Sequence, residues 1–147
     1  MAKSQIQLKT EELVVKYTNR FLRYLKFAHL PVERREILLG TFGYLLDEDD
    51  LVPDNLPNVG LLDDLMIFIK VTETFISESQ FIPGVCTYDE FVQDKEFFDK
   101  NKGLLYGISS PSVDVIRKKG KAMGEVEIKV LSDKVKEKFS KFGRIEE

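Results

Sequence analysis

The segment "LLDDLMIFIKVTETFISES", residues 61–79, most constrains what this chain can fold into. Leu62, Leu65, Met66, Ile69, Thr72 and Ile76 recur at helical spacing, and Ile67, Phe68, Val71 and Phe75 widen that stripe around most of the circumference. A surface helix keeps a broad polar face, whereas a helix apolar on nearly all sides must be enclosed by other elements. The pattern therefore predicts a central helix, and the remaining segments must cover it.

Those segments also read as helices. In residues 10–29, Thr10 can cap and Glu11 and Glu12 suit the first turn, while Val14, Tyr17, Phe21, Tyr24, Leu25 and Ala28 share one face. His29 falls at the end where the helix dipole favours a cation, which points to a capping or surface role rather than catalysis. Pro31 suits the first turn of a second helix, 31–47, with Leu38, Thr41, Phe42 and Leu45 on one face. Gly40 and Gly43 interrupt that helix at a cost of about 0.5–1 kcal/mol each, so close approach of a neighbouring helix is the expected reason for them.

After a break at Pro83-Gly84, a fourth helix is expected over 88–101, with Thr87 and Glu90 as a capping box, Gly103 as its stop and strongly acidic exposed positions. "LLYGISS" reads as a loop, and Ser110-Pro111 can open another helix. Residues 112–131 fit two patterns. Apolar and polar residues alternate around a Gly-bearing centre, as in a short β-hairpin, but Val113, Ile116, Gly120, Met123 and Val130 also form a helical stripe, and the helical surroundings favour helix. Ser132 can cap a last helix ended by Gly143. The expectation is an all-α single domain over 1–147, of five to six helices, with a core at 31–80 and a helical extension at 87–143.

Charge is unevenly distributed. Residues 1–46, 47–100 and 101–147 carry net +4, −11 and +4, so an acidic block lies between two basic ones. The ordinary reading is intramolecular complementarity; the sharper one is two faces, one for a cation or basic partner and one for an anion. One cysteine, Cys86, and one histidine, His29, exclude Cys- or His-built metal clusters and intramolecular disulfides. The polar start and the lack of an 18-residue apolar run exclude a signal core and a membrane span, and point to the cytoplasm.

The stretch "DLVPDNLPNVGLLDD", residues 50–64, holds two prolines, a glycine and four carboxylates. Pro53 and Pro57 fix their own φ and push Val52 and Leu56 to extended conformations, which makes the connection stiff. Asp50 and Asp54 can bond nearby backbone N–H groups, Gly60 suits an N-cap, and Asp63 and Asp64 fall in a first helical turn, where the dipole favours them. Each carboxylate thus has a structural task. The competing reading is a divalent cation site for Mg²⁺ or Ca²⁺ built from Asp50, Asp54, Asp63 and Asp64, since hard cations take several oxygen ligands. The spacing does not match an EF-hand loop.

Asp50, Leu51, Pro53, Asp54, Pro57, Gly60, Asp63 and Asp64, together with Tyr44 in the preceding helix, resemble the signature of the YkvA-like family over roughly residues 37–76. Asn55 stands where that family usually has an aromatic or aliphatic residue, and "DED" replaces an expected proline. The resemblance implies a small helical domain of unknown function and no established reaction.

Elsewhere, "GTFGYL" lacks the Lys-Ser/Thr of a phosphate-binding loop, and Cys86 reads as a small, partly buried residue rather than a nucleophile. Arg117, Lys118, Lys119 and Lys121 form the only dense basic cluster and, with Lys134, Lys136, Lys138 and Lys141, could contact an anion, an anionic membrane or nucleic acid. Phe139 and Phe142 fit a core face better than a base-stacking platform, which makes nucleic acid the weaker option. The sequence thus points to a non-enzymatic regulatory or protein-interaction module with a protein partner or a second copy of itself. Metal binding at the aspartates and anion binding at the basic cluster are the alternatives.

Overall fold

Six α-helices and one short 3-10 turn make up the computed structural model, which describes residues 4–27, 29–46, 61–78, 88–105 and 110–145. They are α1 (Gln5–Leu25), α2 (Val32–Leu45), α3 (Leu62–Glu78), α4 (Tyr88–Asn101), the 3-10 turn (Lys102–Leu105), α5 (Val113–Met123) and α6 (Ile128–Phe139). The described residues contain no strand, and the domain is all-α. None of their helices is long and apolar enough to cross a membrane.

The segment read as central is central. α3 packs against α1, α2, α4, α5 and the 3-10 turn, and Leu62, Leu65, Phe68, Val71 and Phe75 are fully buried along it. Phe68 lies edge-on to Phe21 of α1 at 4.9 Å between ring centres, with Tyr17, Phe42 and Phe75 around the pair. Each such side chain contributes about 1.5–3 kcal/mol through burial.

Several helix ends differ from expectation. α1 starts a turn and a half before Thr10, because Ser4 is a competent cap (its Oγ accepts from Gln7 N–H at 3.1 Å) and the Gln, Leu and Lys residues that follow favour helix. Thr10 is buried inside the helix, and its hydroxyl donates to the Ile6 carbonyl at 2.7 Å. The helix ends at Leu25, where the Lys26 N–H bonds back to the Arg23 carbonyl and the Phe27 N–H to that of Tyr24, so His29 lies beyond the helix end, exposed at the surface rather than capping it.

Residues 112–131 form no hairpin. Ser112, rather than Ser110, caps α5 by accepting from Val115 N–H at 3.2 Å, and Gly124, at φ 68°, ends it. A positive φ is a conformation that glycine adopts without strain, so the chain breaks there and resumes as α6 before Ser132. Ser132 is therefore a buried interior residue and not a cap. Gly143 follows the end of α6, where a Cβ would stand 3.0 Å from a Val15 methyl, and Asn19 donates to the Arg144 carbonyl at 2.9 Å, so the end of the chain is tied to α1.

The glycines of α2 behave as anticipated. Among the described helices, α2 and α5 form the closest pair. A Cβ on Gly40 would overlap the Ile116 carbonyl, and one on Gly120 would overlap the Glu36 carbonyl and stand 2.7 Å from the Gly40 nitrogen. The two backbones touch where neither helix carries a side chain.

Candidate functional site

Asp63 and Asp64 open α3 and are buried, at 6% and 2% exposure. Asp63 Oδ1 accepts from the Asp64 N–H at 3.0 Å, a first-turn bond of the kind that the spacing predicted. Asp50, Asp54, Pro53, Pro57 and Gly60 lie outside the described residues, as does Cys86. Among the described residues, no group of three or more His, Cys, Asp or Glu side chains is placed to hold a metal ion.

A polar cluster between α1 and α4 was not anticipated. Asp94, 5% exposed on a helix expected to present acidic residues to water, accepts from the Tyr17 hydroxyl at 2.7 Å and the Lys16 ammonium at 2.6 Å. One turn earlier, the Arg20 guanidinium donates to both oxygens of Glu90, with the Nη2–Oε2 contact at 3.1 Å. Arg20, helped by Lys16, holds the Glu90 carboxyl below the usual carboxylate range against the opposing effect of burial. Glu90 thus also reaches α1, while Thr87, its expected partner in a capping box, lies outside the described residues. The signal was present in the spacing: Lys16 and Arg20, like Glu90 and Asp94, are four residues apart, so each pair shares a helix face.

The basic cluster is divided. Arg117 donates to Glu36 at 3.0 Å and lies 3.7 Å from Glu33, and these carboxylates raise its pKa. Lys119 stands over the Tyr44 ring at 4.9 Å, while Lys118 and Lys121 are exposed. Two of the four cations are therefore turned onto α2. Farther along, Lys138 donates to the Leu45 carbonyl at the end of α2, a favoured use of lysine at a helix C-terminus.

Between α2, the end of α5 and α6 lies a groove of about 780 Å³. Leu46, Met123, Val126, Val130 and Leu131 line it, and Lys134, Lys138 and Lys141, with Glu137, stand along its α6 edge. Nothing in the one-dimensional pattern marked this groove, because its apolar residues come from three separate segments. The remaining polar contact of note is Lys70 of α3, which donates to the Ser110 hydroxyl and, at 2.8 Å, to the Pro111 carbonyl. Burial lowers its pKa, and its two acceptors tie the entry of α5 to the central helix.

No curated protein and no solved structure matches the chain. Over residues 35–69, from the first turn of α2 to the middle of α3, the chain is similar to a family described as a protein of unknown function (DUF1232).

Proposed function

We propose that the protein is a small non-enzymatic interaction module of the cytoplasm that holds a protein partner on its α2–α5–α6 face. The observation that carries this reading is the groove: it joins solvent-reachable apolar surface to a row of lysines, a combination that suits binding rather than core packing. Between α1 and α4, by contrast, Lys16, Arg20, Glu90 and Asp94 are engaged with one another. The YkvA-like signature at residues 50–64 falls within the stretch similar to the uncharacterised family and is compatible with it, and it adds no reaction.

The test is affinity capture with cross-linking from lysate of the source organism, comparing wild type with Val130→Asp. A specific partner held by wild type and lost by the variant is the expected result. No partner in either case, or equal capture by both, would overturn the proposal.

A second reading is a Mg²⁺ or Ca²⁺ site drawing on Asp50, Asp54, Asp63 and Asp64. It is favoured by the side-by-side burial of the last two carboxylates. Calorimetric titration of wild type against Asp54→Asn/Asp64→Asn decides it, and no binding at millimolar metal would remove it. For anion or nucleic-acid binding, the engagement of Arg117 and Lys119 with α2 leaves less cationic surface than the composition suggests.

A further inference from the structure

We infer that the groove between α2, α5 and α6 takes an acidic amphipathic helix from a partner protein. This rests on the interaction-module reading and names the partner's class and its seat. The floor is apolar, formed by Leu46, Met123, Val126, Val130 and Leu131, and Val130 is 45% exposed. Among the described residues of the lining, three cations, Lys134, Lys138 and Lys141, stand against one acid, Glu137. Lys134 and Lys138 are one turn apart on α6, and Lys141 follows in the turn after it.

The groove is maintained by its own construction. Lys138 is anchored at the edge by its bond to the Leu45 carbonyl. Met123 lies against α2 because position 43 is glycine: a Cβ there would stand 3.0 Å from the Met123 sulfur. A methionine in the floor lets the surface adapt to the side chains of a partner.

Three occupants share some of this chemistry, and the geometry favours one. Nucleic acid is held mainly through phosphates and gains nothing from an aliphatic floor. A bilayer presents a broad plane rather than a ridge that enters a concavity. An amphipathic helix presents an apolar ridge for the floor, with charges recurring about every 5.4 Å along its flank to meet a row of lysines. Carboxylates on that flank complement Lys134, Lys138 and Lys141.

The probe is a synthetic helix with leucines at i, i+3, i+4 and i+7 and glutamates on the flanks. Its controls are the same peptide with Lys for Glu, the same peptide with Ser for Leu, and vesicles of anionic phospholipid. Binding is read by fluorescence anisotropy and by amide shifts in the full-length protein. The expected result is saturable binding of the acidic amphipath, with shifts at Val126, Val130 and Lys134. Binding should weaken about tenfold or more in Val130→Asp and in Lys134→Glu/Lys141→Glu, and should fall with added salt. These positions are exposed, so circular dichroism should show both variants folded.

Equal binding of the Lys peptide, or no binding of the acidic one, overturns the inference. So does vesicle binding that depends on Lys134 and Lys141 in the absence of peptide binding. Dimerisation abolished by Val130→Asp would give the groove to a second copy instead. A tenfold gain in peptide affinity on replacing Asp47, Asp49 and Asp50 by Asn would give it to the chain's own acidic segment. If Val130→Asp loses a lysate partner while every acidic peptide fails, only the partner class falls. If Val130→Asp leaves lysate capture unchanged, the interaction-module reading falls with it.

Discussion

The α1–α4 contact and the α2–α5 contact join helices distant in the chain by opposite means. Between α1 and α4, long charged side chains bridge the helices: Lys16 and Tyr17 meet Asp94, and Arg20 meets Glu90. Between α2 and α5, side chains are missing where the helices cross, and Gly40 and Gly120 let backbone meet backbone. A charged contact depends on protonation and salt and tolerates small changes of distance. A glycine crossing depends on volume alone. The two sides of one small domain should therefore fail under different insults.

The largest expected effect is at the crossing. Gly120→Ala adds a methyl that overlaps the Glu36 carbonyl, so the helices must separate. A loss of about 2–3 kcal/mol is expected, even though alanine favours helix by about 1 kcal/mol. Urea denaturation measures it, and an unchanged midpoint would break the comparison by showing that the crossing tolerates volume. Asp94→Ala comes next, at about 2 kcal/mol, because it removes the buried acceptor shared by Lys16 and Tyr17. The same variant in a Tyr17→Phe background should cost less than the sum of the two, and strict additivity would show that the pair is not coupled.

Glu90→Gln should cost only about 0.5–1 kcal/mol at neutral pH, since the pair is partly in water. Its value lies in the pH profile. Arg20 lowers the folded-state pKa of Glu90 from the ordinary value of 4.5. The stabilisation is therefore complete above that ordinary value and is lost as pH falls through the folded value. Wild type should lose stability in that acid window more steeply than Glu90→Gln, while Gly120→Ala should keep the wild-type slope. Equal slopes for wild type and Glu90→Gln would show that this pair does not contribute. The smallest effect is expected for Lys134→Glu/Lys141→Glu, less than about 1 kcal/mol by thermal melting, because both side chains are exposed at the groove edge. A larger loss would mean that the lysines support the fold rather than a partner.

Much of the architecture was legible in the sequence. The continuous apolar circumference of 61–79 announced a central helix, and α4 was expected over 88–101, where it lies. Gly40 announced a close neighbour without naming it, because the partner glycine lies eighty residues away, and local pattern carries no information about which distant face will meet it. Ser4 and Glu127 stand at the helix starts that the sequence assigned to Thr10 and Ser132. Several residues in each region could cap, and the choice depended on where the apolar face had to be buried.

The candidate sites divide in the same way. The first-turn position of Asp63 and Asp64 followed from Gly60 and the two prolines, by local steric rules. Two of the four cations of the basic cluster, Arg117 and Lys119, proved to be committed to α2, and the lysines that frame the groove come from α6 and the turn after it, which sequence density had ranked second. Burial of Asp94 against Tyr17 could not be read from α4 alone, because that position is acidic and looks like a solvent face.

The sequence by itself determined that the chain is mainly helical and that the third helix is enclosed, since hydrophobic periodicity is a property of neighbours along the chain, but it left residues 112–131 open between helix and hairpin. Only the tertiary structure decided that Gly40 meets Gly120, that Asp94 is buried between Lys16 and Tyr17, and that Leu46, Met123 and Val130 share a groove edged with lysines. Those relations depend on how helices cross, and crossing is set by the fit of side-chain volumes brought together from distant parts of the chain.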